Sequence, residues 1–377
     1  MDLTQTAYGT WSGGRFMHFG EALSDDRFIE VIRLAYTRGI RTFMTADVYG
    51  LGQADEMLGR ALAGLPRDSY CLVGAIGHDF YTGQREGAKG YPRFTDLTLR
   101  KPADYASYLR MAAEKSLARC QAAKFDCLLL HNPDATGYAS DTVWKGMEKL
   151  MDAKLTDRVG IAPGPANGFT LDIILNFERF AGLVSWAMVI LNPLEPWPGK
   201  LCLAAAEKQG VKIITRVVDY GGLFHDDVKP GHLFGKQDHR TFRPAGWVEE
   251  GNRKIDRMRA VAQKNKLSLL QLACVWNLGQ PAVQSVIPTL IQEISTDAKP
   301  IEQKVEELAT LPQTRLIAAE SEFIERLGDN QGCMALKGGN PEHQGEPLPD
   351  RWGLTPELLA VAQRWNIDPA AQLTEQK

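Results

Sequence analysis

The pattern that most constrains this chain is an alternation of short apolar runs, rich in β-branched residues, with longer segments whose apolar residues recur every three or four positions. Eight such runs lie at 3–10, 40–46, 70–76, 125–130, 158–162, 184–191, 211–218 and 283–288. The first helix opens at Ser24-Asp25, carries the stripe Phe28, Val31, Ile32 and Ala35, and closes at Gly39. Further helices are predicted at 53–63, 104–123, 141–154, 169–180, 200–209 and 300–311. The run 70–76 shows no polar alternation, as expected of a strand covered on both faces. Strands separated by helices pair in parallel through right-handed crossovers, and eight is the number that closes an α/β (β/α)8 TIM barrel. An open doubly wound sheet is the competing architecture, but no G-x-G-x-x-G follows the first run, so its dinucleotide fingerprint is absent.

At 377 residues the chain exceeds the ~250 of a typical barrel. The surplus falls in two places. Connections 77–103, 219–250 and 289–299 are far longer than the ~2–6 residues usual in such units, and each follows a strand, on the face where barrel active sites are built. Their aromatic residues, among them Tyr81, Tyr91, Phe94, Phe224, Phe234 and Trp247, suit packed lids or an oligomer surface. The rest lies beyond the barrel. Residues 1–312 are expected to form the barrel and 313–377 an extension with helices at 314–327 and 356–364, docked through Trp352 and Trp365.

Composition narrows the function. A net charge of -3 with 24% charged residues offers no concentrated basic surface for nucleic acid or anionic membranes. Neither a signal-peptide pattern nor an apolar span long enough for a membrane is present, which makes a cytoplasmic enzyme with a small-molecule substrate the expectation. The six cysteines, Cys71, Cys120, Cys127, Cys202, Cys274 and Cys333, show no metal-ligand or C-x-x-C spacing and read as reduced, inert thiols. His225, His232 and His239 recur every seven residues on a long connection, which is not the spacing of a metal set, so no metal is expected.

Polar residues stand where two of the runs end. Asp47 and Tyr49 precede Gly50 after the second, and His131 and Asn132 end the fourth, the positions at which barrel enzymes place their chemistry. A strand-ending turn with a packed tyrosine is the bland alternative. Thr45-Ala46-Asp47-Val48-Tyr49-Gly50, then Glu56-Met57-Leu58-Gly59-Arg60-Ala61-Leu62, then Leu128-Leu129-Leu130-His131, resemble the aldo-keto reductase superfamily. Arg216, Gly221-Gly222-Leu223, Asp238-His239-Arg240, Val286-Ile287-Pro288 and Glu302-Gln303 continue the resemblance in order, over roughly residues 3 to 312. The resemblance implies an NAD(P)-dependent oxidoreductase passing hydride to or from a carbonyl, with Asp47, Tyr49 and His131 catalytic. It further implies cofactor contacts at Asp47, Arg216, Gly222, Leu223, Thr289 and Gln303, and a substrate wall of Trp11, His78 and Asn132. A carbonyl that accepts hydride needs an acid within reach and a donor beside its oxygen, roles that fit the Tyr49 phenol and the His131 imidazole.

The departures from the family pattern cluster. Ala75 stands where the family has its catalytic lysine, Ala162-Pro163 replaces a Ser-Asn pair, Met188 replaces a glutamine, and Met44 replaces the aspartate that opens the D-T-A motif. All would surround the nicotinamide ring. Weak activity on simple aldehydes is therefore expected, with a redox-neutral lyase, epimerase or isomerase, or a non-catalytic binding relative, as the alternatives. His78 and Asp79 offer a possible acid/base pair near the vacated lysine position. Glu293 and the neutral run before it favour NAD slightly over NADP, with Lys299 or Lys304 the only cations in reach of a 2′-phosphate.

Overall fold

The computed structural model describes residues 1–86, 90–164, 169–331 and 353–373. Eight parallel strands run in sequence order, β1 (Ala7–Gly9), β2 (Thr42–Met44), β3 (Cys71–Ile76), β4 (Cys127–His131), β5 (Val159–Ala162), β6 (Val184–Ile190), β7 (Lys212–Arg216) and β8 (Val283–Ile287). A parallel bridge between Thr6 and Val286 joins the last strand to the first. The barrel is closed. Its strands are shorter than the apolar runs that mark them, yet the backbone pairing outlasts them: Thr45 N–H donates to Val73 and Asp47 N–H to Ala75. Residue 47 is thus still carried on the line of β2.

Side-chain alternation divides the barrel into two layers. Met44, Cys71, Val73, Ala75, Cys127, Leu129, Ala162, Trp186, Met188, Ile214 and Ile287 form an inner cluster, joined at one end by Trp11, Val48 and Tyr49. The intervening residues, such as Leu72, Ile76, Leu128, Leu130, Ala187 and Val189, pack outward against the helices. On the alternation of β4 and β7, His131 follows Leu129 and Arg216 follows Ile214 into the interior at the carboxyl ends of their strands.

The helices that cover the strands are α1 (Asp25–Thr37), α2 (Gln53–Leu62), α3 (Tyr105–Arg119), α4 (Ala135–Ala139), α5 (Asp141–Asp152), α6 (Thr170–Arg179), α7 (Leu203–Gln209), α8 (Trp247–Lys264), α9 (Leu269–Leu278) and α10 (Ile301–Ala309). Ser24 caps α1, as its sequence predicts, accepting from Arg27 N at 3.4 Å. Three of them, the short α4 and the longer α8 and α9, were not foreseen. Helices α8 and α9 occupy the interval between the long seventh connection and β8, and α9 opens on a Ser268–Gln271 capping box. Helix α9 is apolar on all sides, so its periodicity is weak, a consequence of being buried throughout.

Beyond the barrel lie α11 (Ala318–Gly328), α12 (Pro356–Arg364) and α13 (Pro369–Gln372). Arg364 and the Trp365 indole both bond Glu178 of α6, the latter at 2.9 Å, and the Trp276 indole of α9 donates to Ser321 at 3.3 Å. Gly328 touches the sixth connection so closely that a Cβ there would lie 1.5 Å from the Pro193 carbonyl oxygen. Trp352 and Cys333 lie outside the described residues. The other five cysteines are free and buried. No helix among the described residues is long and apolar enough to cross a membrane.

Candidate active site

The chain leaves β2 through a tight turn in which Gly50 (φ 58°), Leu51 (φ 56°) and Gly52 (φ 98°) are all left-handed. A Cβ on Gly52 would strike the Arg119 guanidinium at 2.5 Å, so glycine there is set by close approach as well as by backbone. Strain recurs at neighbouring strand ends. Asn132 (φ 44°) follows β4 and Val217 (φ 59°) follows β7, and a β-branched residue at positive φ is a rare outlier that only surrounding contacts maintain.

This turn sets Tyr49 against His131, with ring centroids 5.7 Å apart and planes at 90°. Trp11 meets the other edge of Tyr49 at 6.4 Å, and His78 meets His131 at 5.0 Å. Asn132 reaches the Nε2 of His78 at 3.1 Å. Five of the six residues expected at the reaction centre and the substrate wall are therefore neighbours, in the order Trp11, Tyr49, His131, His78, Asn132.

Burial raises the Tyr49 phenol to about 12, opposed by the Arg216 charge. His131 is held neutral, well below the ordinary histidine value, by burial first and then by His78, Arg93 and Arg216. Burial and the charge of Arg93 lower His78 to about 3. Arg93 donates from Nη1 into His78 Nδ1 at 2.9 Å, and the other ring nitrogen, Nε2, faces the Asn132 side-chain amide at 3.1 Å.

Asp47 is completely buried, and neither carboxylate oxygen makes a hydrogen bond of good geometry. Burial and then the nearby Asp55 push its acidity far toward the neutral form, against smaller opposing effects of Arg119, the Val48 amide and the Tyr81 hydroxyl. Arg216 does not pair with it. That guanidinium bonds the Gly164 and Pro163 carbonyls at 2.9 and 3.3 Å instead. The cation on the Asp47 side is Arg119, which holds the Tyr81 hydroxyl at 3.2 Å and lies 3.8 Å from Asp55.

Several expectations need correction. Asp79 is no partner of His78: it pairs with Arg100 and accepts from Thr82, bracing the third connection. Glu293 is 2% exposed and bound on one side by Arg240 and on the other by His232, so it carries no free negative charge toward a cofactor. Lys304 is fully buried against Asp227 at 2.6 Å, and Lys299 pairs with Glu307 at 2.9 Å; neither is a free cation. Gln303 is exposed on the first turn of α10. The three spaced histidines separate: His225 meets the Thr289 carbonyl, His232 meets Glu293, and His239 packs edge-on against His18 and Phe19.

Gly222, Leu223 and Thr289 meet around a residue the sequence reading passed over. Asp219 is fully buried and accepts from Gly222 N at 2.9 Å and Thr289 N at 2.7 Å, tying the β7 turn to the β8 turn. An acid three residues ahead of a glycine amide is an available sequence signal for such a turn. Arg93, Arg119 and Arg243 were also missed, and nothing in their spacing announces them.

The parallel barrel thus sets a tyrosine and a histidine face to edge at its carboxyl end. A sequence profile of the Aldo/keto reductase family matches residues 7–299. The chain belongs to that family, and so to a class of NAD(P)-dependent oxidoreductases. It is 27% identical to a D-threo-aldose 1-dehydrogenase from a Pseudomonas species over 280 residues, covering 71% of this chain and 80% of the relative. The solved glycerol dehydrogenase of Gluconobacter oxydans superimposes with a TM-score of 0.68 at 23% identity, over 87% of this chain and 92% of that one. An aldo/keto reductase from Klebsiella pneumoniae in complex with NADP and acetate superimposes at 0.58 with 19% identity, over 86% and 91%.

Proposed function

We propose that the protein is an NADP-dependent oxidoreductase acting on the carbonyl or hydroxyl carbon of a polyhydroxy, sugar-like substrate, and that it is weak on simple aldehydes. The observation that carries this reading is the perpendicular Tyr49–His131 pair at the carboxyl end of the barrel. A bound nicotinamide would supply or accept the hydride. Tyr49, kept protonated, gives its proton to the substrate oxygen, and neutral His131 donates a hydrogen bond to that same oxygen. Trp11 closes the opposite side.

The residues at the end of β7 suit an anionic cofactor. Arg216 Nε and Arg243 Nη1 are buried donors with no hydrogen-bond partner among the described residues, and Arg243 lies against the left-handed Gly221-Gly222 turn. Arg216, Gly222, Leu223 and Thr289 would hold the cofactor, with Gln303 nearer its far end. The preference for NAD loses its ground once Glu293 is bound up with Arg240 and His232, and the NADP complex of the Klebsiella relative supports NADP. The names of the Pseudomonas and Gluconobacter relatives support a polyhydroxy substrate.

The weakness toward simple aldehydes follows from Ala75. Among the described residues the cation acting on Tyr49 is Arg216, and Asp47, disposed toward its neutral form, lends it little. Met188 and Ala162 fill the interior below, which favours the redox-neutral alternative if no nicotinamide binds. Titration of the purified protein with NADPH and NADH, followed by assays with glycerol and D-aldoses, tests the proposal. Saturable NADPH binding and turnover of a polyhydroxy substrate are expected; binding of neither nucleotide would overturn it.

A further inference from the structure

We propose that the substrate carries a carboxylate held by Arg93, so that the site takes a sugar acid or an open-chain oxo acid in preference to a neutral aldose or aldehyde. The reacting position assumed in this argument rests on the function proposed above, whereas the anion site itself does not.

The arginines set wholly or partly into the body of the barrel fall into two groups. Arg100 pairs with Asp79, Arg119 lies 3.8 Å from Asp55, and Arg240 binds both Asp238 and Glu293. Arg93, Arg216 and Arg243 have no carboxylate within ion-pair distance among the described residues. Arg216 ends β7 and Arg243 lies against the glycine turn that follows it, where an anionic cofactor fits. Arg93 stands across the mouth, beyond the histidines, and a neutral substrate would leave its charge without a counter-ion. Arg93 is half-buried, and a guanidinium drawn partly out of water without a counter-ion is costly unless a ligand supplies the missing charge.

Its geometry is that of a prepared anchor. Arg93 Nε donates to the Asn132 carbonyl, and Nη1 donates to the Tyr91 carbonyl at 3.0 Å and to His78 Nδ1 at 2.9 Å. These contacts use the Nε hydrogen and both Nη1 hydrogens, and the Nη2 edge is left unengaged. Three fixed acceptors hold the guanidinium in place, so little ordering remains when a ligand arrives. The acid whose charge reaches Arg93 most strongly is Asp134. Its oxygens are already bonded to the Thr95 hydroxyl and the Gly137 amide, both at 2.7 Å.

Position sets the kind of anion. His78 stands between Arg93 and His131, its ring centroid 5.0 Å from that of His131. A carboxylate on Arg93 is therefore separated from the reacting carbon by roughly the width of an imidazole ring. That spacing suits a chain with several carbons between its two oxygenated ends. The planar fork of a guanidinium also matches a carboxylate better than it does a hydroxyl.

The test uses matched pairs that differ only in the anionic group: 4-oxobutanoate against butanal, and D-glucuronate against D-glucose. Each is titrated calorimetrically into the full-length protein in the presence of NADP. The anionic member of at least one pair is expected to bind about tenfold more tightly, and Arg93→Gln is expected to abolish that preference. Equal binding within both pairs, or a preference that survives Arg93→Gln, would overturn the proposal. If Arg93→Gln does not fold, Arg93→Lys decides, because it keeps the charge without the fork: the preference should fall several-fold, and an unchanged preference counts against Arg93. Because binding is read without turnover, an anion preference in a protein that transfers no hydride would sink the oxidoreductase reading and leave this one standing.

Discussion

The connections after β7 and β8 and the turn after β2 treat their buried carboxylates in opposite ways. Around β7 and β8, Arg240 is held by Asp238 and Glu293, Lys304 by Asp227, and Asp219 by two backbone amides. Around β2 and β4, among the described residues, Asp47 has no well-formed hydrogen bond and His131 Nδ1 has no hydrogen-bond partner, and Tyr49, His131 and His78 are all displaced by burial from their ordinary acidities. Satisfied charges brace loops. Titratable groups left unsatisfied in a strained turn are the ones poised for proton transfer, which is how the candidate site is told apart from its own scaffold.

Arg240→Met should produce the largest change on the braced side. It strands Asp238 and Glu293 in the interior and is expected to cost about 3–5 kcal/mol, read as a lower denaturant midpoint. An equal loss on removing the unpaired Asp47 would erase the distinction. Ala75→Lys acts on the other side, placing a cation beside Asp47, whose amide bonds the Ala75 carbonyl at 3.1 Å. The added bulk in the packed interior is expected to cost about 1–3 kcal/mol, while residual aldehyde reduction rises several-fold. No gain in rate would mean that the lysine position no longer governs Tyr49.

The two regions also respond to pH with opposite sign. Burial raises Asp55 to about 6, so the folded state holds its proton more tightly than the unfolded chain does. Its contribution to stability is complete below the ordinary value near 4 and is lost as pH rises to about 6. Burial opposes ionisation of Glu293, but His232 and Arg240 outweigh it and bring the carboxyl down to about 2, so its contribution is present above about 4.5 and is lost as pH falls toward 2. Melting curves across this range should show the first slope flattened in Asp55→Asn and the second in Glu293→Gln. The smallest effect is expected from exposed Gln303: its change to alanine should weaken NADPH a few-fold and leave the melting temperature unchanged. A larger shift in melting than in affinity would mark that residue as structural.

The barrel was legible because its evidence is local: each strand is an apolar run, and Asp47, Tyr49 and His131 stand at the ends of such runs. The charge network was not, because its partners are far apart in the chain. Arg240 and Glu293 are separated by 53 residues and Asp219 and Thr289 by 70, and no spacing rule connects them. Glu293 and Lys304 were misread for the same reason: in sequence they are free charges on a loop and a helix, and only the fold reveals the residues that neutralise them. Arg93 lies in a connection of irregular composition. Its significance arises only when the chain brings it to His78 and Asn132.

The comparison turns on whether Tyr49 performs the proton transfer, and Tyr49→Phe asks this with the loss of a single hydroxyl. NADPH affinity and turnover are measured together on the wild type and the variant, with the polyhydroxy substrate that the wild type turns over. The account predicts affinity within about twofold and turnover reduced by about 10²–10⁴-fold, the usual worth of a general acid. Full turnover by the variant would contradict it and return Tyr49 to the packing of a strand-ending turn.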